Sequence, residues 1–137
     1  MSARTKARKR ALDILYSSDM RGTSINQALA DAEARAAGES DRRASWLYAQ
    51  QIVTGVVAHG DEIDEMIQTY SHGWSLERMP AIDRAILRIG AWEVLFNDEV
   101  PDAVAIDEAV EAAKQLSTDD SPAFINGMLG TFANTKG

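Results

Sequence analysis

The sequence predicts an all-α protein, about seven helices in a compact bundle, and three observations carry that prediction. Apolar residues recur at three- and four-residue intervals. No segment sustains the alternation of a half-buried strand. Gly, Pro and Ser fall where they would start and stop helices. With 137 residues, 45% of them hydrophobic and 26% charged, the chain can bury a real core, and a single domain over residues 1–137 is expected.

Each helix has its own local reason. The first is expected over residues 3–20, with Gly22 as its C-terminal stop. Ser24-Ile25-Asn26-Gln27 reads as a capping box opening a second helix that ends at Gly38. A third begins between Asp41 and Ser45 and carries Leu47, Tyr48, Ile52, Val53, Val56 and Val57 to His59. Gly60-Asp61 stops it and caps a fourth, in which Ile63, Met66, Ile67 and Tyr70 share one face. Gly73-Trp74-Ser75 breaks that helix, and a short turn through Leu76 leads to Pro80. Over residues 80–96 apolar side chains reach nearly every side, interrupted only by Asp83, Arg84, Arg88 and Glu93, so the fifth helix belongs in the middle of the bundle. After Val100-Pro101-Asp102 a sixth runs to about Gln115, its alanines permitting close approach between helices. Ser121 as N-cap and Pro122 at the first helical position open the seventh.

Charge is the most informative feature for function. Arg4, Lys6, Arg8, Lys9 and Arg10 lie within the first ten residues, which contain no acid, while the other 127 residues hold nine basic and twenty-one acidic side chains. An anionic body with one cationic end repels polyanions everywhere except there, the electrostatic mark of a nucleic-acid contact. The plainer reading is a solvated terminus. The absence of cysteine excludes disulfides and thiolate metal sites and fits a reducing cytoplasm. No apolar run approaches the ~18 residues of a membrane span, and no h-region follows the basic start. A cytoplasmic protein is expected.

Three later stretches are more specific than packing requires: residues 74–88 (WSLERMPAIDRAILR), 100–114 (VPDAVAIDEAVEAAK) and 119–129 (DDSPAFINGML). With the Arg-rich start and Ala11-Leu12-Asp13-Ile14-Leu15-Tyr16, their order and spacing resemble the NusB family of bacterial transcription antitermination factors over essentially the whole chain. The resemblance implies two small helical subdomains and a function without catalysis or cofactor. Family members bind the boxA element of nascent ribosomal-RNA transcripts together with NusE, a small-subunit ribosomal protein, and the complex joins RNA polymerase. Some relatives self-associate, so a homodimer or protein-only scaffold is an alternative. A NusB-like module also precedes the catalytic domain of some RNA methyltransferases; the chain's end at Gly137 leaves no room for a cofactor-binding sheet and favours an independent protein.

The resemblance places base-reading residues at the start of the last helix, here Asp119, Asp120, Ser121, Phe124 and Asn126. An aromatic ring can stack a splayed base, and acids or hydroxyls can bond base edges. Against that, Asp120 and Ser121 can simply cap the helix and Phe124 can fill the core. The chain departs from the family at Pro122-Ala123, where many members carry a basic residue. It has Leu116 where an aromatic is common and Asp107 where Asn is frequent. Asp83, Arg84 and Arg88 are read either as an internal ion-pair network with acids of the fourth or sixth helix or, with Tyr16, as the face that docks NusE. Asp61, Glu62, Asp64 and Glu65 fit a helix N-terminus better than a metal site. His59 and His72, each expected in a last helical turn, have no partner at zinc-ligand spacing. No enzyme and no metal are expected.

Overall fold

Ser2 caps the first helix, its Oγ accepting from the Thr5 backbone N–H at 3.1 Å. The computed structural model describes residues 2–38, 43–72 and 74–136. Among them lie seven α-helices and no strand: α1 (Ala3–Arg21), α2 (Ile25–Ala36), α3 (Arg43–Ala58), α4 (Gly60–Tyr70), α5 (Ala81–Phe96), α6 (Asp102–Leu116) and α7 (Ser121–Thr135), with a short 3₁₀ turn at Leu76–Arg78. Gly22 ends α1 in the left-handed conformation at φ 67°, where the absence of a Cβ removes the steric penalty.

Four local expectations are corrected. Ser24 caps α2 by accepting from Gln27 N, but the Gln27 amide bonds Asp31 instead of returning to the cap, so the reciprocal half of a capping box is not made. Gly60 is already the first residue of α4, and His59 alone separates it from α3 without a side-chain cap; His72, expected in a last turn, lies beyond α4 at φ 52°. Ser121 is the first helical residue of α7, not its cap; Asp120 stands at the cap position but makes no side-chain cap bond. The expected positions Asp41 and Gly73 lie outside the described residues.

α5 is central as predicted. It packs against α1, α3, α4, α6 and α7, and ten of its residues are buried. α1 packs most extensively on α3, with α2 alongside, while α6 and α7 pair and lean on α5. Ala7, Ala11, Leu12, Ile14 and Leu15 form the buried stripe of α1, which leaves the basic residues on its other sides. Two helix crossings are so close that a side chain would not fit. A Cβ on Gly55 of α3 would lie 2.0 Å from the Trp92 indole nitrogen, and one on Gly90 of α5 would lie 2.6 Å from Leu129 Cδ1.

Candidate nucleic-acid interface

The cationic end is not five equivalent charges. Arg4, Lys6 and Lys9 are exposed on α1, whereas Arg8 and Arg10 are half-buried. Arg8 turns inward. Its Nε donates to Glu93 Oε1 at 2.8 Å and its Nη2 to Oε2 at 2.9 Å, with Glu108 Oε1 3.3 Å from Nη1. Glu93 is 1% exposed, so this is a two-pronged pair in the interior. Burial works against the Arg8 charge, but the Glu93 bonds and the charges of Glu93 and Glu108 outweigh it and raise the pKa above its ordinary value. Arg10 Nε donates to Ser45 Oγ at 3.2 Å. Arg8, one of the candidate phosphate contacts, is thus paired with the carboxylate that fixes α1 to α5.

Tyr48 of α3 completes this cluster. Its hydroxyl donates to Glu93 Oε2 at 2.5 Å and accepts from Asn97 Nδ2 at 3.0 Å. Burial, followed by the bond to Glu93 and its charge, pushes the phenol well above its usual range, with Arg8 and Asn97 opposing. Neither Tyr48 nor Glu93 was singled out from sequence for function. The available signal was Glu93 itself, an acid at the centre of an otherwise apolar helix.

The start of α7 divides in the same way. Asp119, Asp120 and Asn126 are exposed, and Phe124 is half-buried against the core. Ser121 is 2% exposed and donates to Asp83 Oδ2 at 2.9 Å, while Ser117 donates to Oδ1 at 2.6 Å. Asp83, itself 4% exposed, therefore holds the turn between α6 and α7 onto α5. Ser121 and Asp83, assigned from sequence to two different surfaces, are bonded to each other below both, because a buried carboxylate requires donors. Neither faces outward as a reader of bases or partners.

Arg84 and Arg88 complete an internal network, with one change from expectation. Arg84 donates to Asp19 at 3.0 Å and to the carbonyls of Leu76 and Met79. Arg88 pairs with Asp64 at 3.0 Å and lies 3.7 Å from Asp19. The acids thus come from α4 and α1, not from α6. Tyr16 is half-buried on α1. His59 stacks on Phe96 with ring centroids 3.8 Å apart. Among the described residues no group of three or more His, Cys, Asp or Glu could hold a metal ion, and no helix is long and apolar enough to cross a membrane.

A groove lies beside the cationic helix. About 90 Å³ in volume, it lies between α1, α5 and α6. Thr5, Arg8, Lys9 and Leu12 line it on α1, Ile86, Ile89 and Glu93 on α5, and Glu108, Glu111, Gln115 and Leu116 on α6, so acids and bases both face it.

Residues 5–134 match the NusB family. The chain belongs to the NusB family. A transcription antitermination protein NusB from Leifsonia xyli subsp. xyli is 65% identical over 136 residues, covering 99% of this chain and 94% of the relative. One from Clavibacter michiganensis subsp. michiganensis is 63% identical, covering 99% of each. Among solved structures, NusB of T. maritima superposes with a TM-score of 0.84 at 31% identity, over 98% of this chain and 92% of that one. A crystal structure of the antitermination factors NusB and NusE in complex with dsRNA has a TM-score of 0.84 at 24% identity over 98% of both chains, a likeness that shows the fold alone. The chain is by this likeness an antitermination factor of the NusB family, a family of non-enzymatic proteins.

Proposed function

We propose that this protein binds the boxA element of nascent ribosomal-RNA transcripts together with a NusE-type ribosomal protein, and that the assembly joins elongating RNA polymerase. The observation that supports the reading is the exposed cationic cluster Arg4, Lys6 and Lys9 at the start of α1, on a chain of the NusB family. Arg4, Lys6 and Lys9 serve the phosphates, with Arg10 beside them. Asp119, Asp120, Phe124 and Asn126 serve the bases. Ser121 holds the base-reading turn from beneath through Asp83. Phosphate contacts give affinity and position; the turn gives sequence preference.

The protein partner docks on the face around Tyr16, Arg84 and Arg88, with Asp83 supporting that face from inside. The mechanism is assembly. RNA and partner each cover part of one composite surface, so each tightens the binding of the other by the same factor. A mobility-shift measurement with a boxA-type RNA and a scrambled strand, with and without the NusE-type protein, tests it. The boxA strand should bind more tightly, and the partner should widen the difference. Equal binding of both strands under both conditions overturns the reading.

A further inference from the structure

We propose that Tyr48 is a positioning residue for RNA binding, its ring carrying the Arg4 guanidinium at the cationic end while the buried Glu93 carboxylate pins that ring from below. The inference rests on the reading of the cationic end as the phosphate contact, and it adds to that site a residue from α3, which contributes none of the site's candidate residues.

The geometry is specific. Arg4 Cζ lies 4.8 Å from the Tyr48 ring centroid, within the range in which a cation is attracted by the ring face. Arg4 also lies 3.6 Å from Glu99, with both side chains well exposed, and an exposed pair of that length holds a side chain weakly. The ring is the firmer support. It is fixed at its far end by the bonds to Glu93 and Asn97, with Trp92 tilted against it at 6.4 Å. Arg8 Cζ also approaches the ring, at 5.8 Å, but Glu93 and Glu108 neutralise Arg8. The two guanidiniums therefore have separate tasks: Arg8 ties down the helix, and Arg4 keeps its charge and its N–H donors for a strand. A guanidinium held over a ring still offers those donors to a phosphate.

The test uses Tyr48→Leu, which removes the ring, and Tyr48→Phe, which keeps it, each with and without Arg4→Ala. Binding of a boxA-type single-stranded RNA is measured against salt with the NusE-type partner present. Tyr48→Leu should weaken binding about two- to fivefold, the worth of an exposed cation–π contact. It should also lower the salt slope by about 0.7, one phosphate of a single strand. Tyr48→Phe, which keeps the ring but loses its bonds to Glu93 and Asn97, should lose less than Tyr48→Leu, and in the Arg4→Ala background Tyr48→Leu should change nothing further. An equal loss with and without Arg4, or an equal loss from Phe and Leu, overturns the proposal. The Arg4 side-chain proton shifts of the unmodified protein, measured without RNA, should be displaced by the ring current. Their absence overturns it whether or not Tyr48→Leu folds. If the unmodified protein binds no RNA, the functional reading falls and this proposal with it, and a persisting ring-current shift identifies that case.

Discussion

Arg8 shows how far a residue's role can depart from its charge. A guanidinium in the first ten residues, flanked by Lys6 and Lys9, is expected in solvent, yet its side chain is 10% exposed and locked to Glu93. Removing one partner of such a pair leaves the other buried and unpaired, which costs about 3–5 kcal/mol. Arg8→Ala should therefore lower the urea-unfolding free energy by about that much, while Lys9→Ala, at an exposed position, should change it by less than about 0.5 kcal/mol. Matching midpoints for the two variants would show that the Glu93 pair is not what fixes α1. Loss of RNA binding in Arg8→Ala would then report a displaced helix, so the phosphate contribution is better read from Lys6 and Lys9.

At the scale of the helices, contact distance decides. α3 meets α5 where Gly55 faces the Trp92 ring, and α5 meets α7 where Gly90 faces Leu129. Both glycines sit inside helices, where alanine is normally favoured by about 0.5–1 kcal/mol. Here that gain is overridden, since a methyl at position 55 would overlap a rigid, buried indole. Gly55→Ala should destabilise by about 1–3 kcal/mol through overpacking. Gly127→Ala, at a site of α7 with nothing within 4 Å, should stabilise by about 0.5–1 kcal/mol. Thermal unfolding of the pair checks both signs, and a stabilised Gly55→Ala would mean that the helices separate at little cost.

Across the whole molecule, one polar cluster ties α1, α3 and α5 through Arg8, Tyr48 and Glu93. Its phenol is held above the ordinary value of about 10, first by burial and then by Glu93. The unfolded phenol ionises near pH 10 while the folded one resists. The stability linked to this group is thus fully present below about pH 10 and is lost as pH rises from there towards the raised folded value. Chemical unfolding measured between pH 8.5 and about 11.5 should show a steeper loss for the parent than for Tyr48→Phe, whatever their difference at neutral pH. Parallel curves would show that the Tyr48 proton is not coupled to folding.

The helices themselves were legible because each is a local matter. Period, punctuation by Gly22 and Pro80, and the nearly all-apolar 80–96 segment define the elements and put α5 at the centre. Family membership was legible too, carried by motifs in a fixed order. Helix ends were less so: Gln27 satisfies its amide at Asp31, and Ser121 is drawn one place into α7, where its hydroxyl meets Asp83. Which charged residues face outward could not be read along the chain at all. Arg4, Lys6, Arg8, Lys9 and Arg10 are alike in a sequence; only the packing of α5 beneath α1 brings a buried carboxylate to Arg8 and a ring to Arg4. Likewise Asp83 and Ser121, thirty-eight positions apart, become one unit when α7 closes on α5. Secondary structure is set by interactions within a few residues. The fate of an ionisable side chain is set by what low-dielectric surface covers it, and that comes from distant parts of the chain.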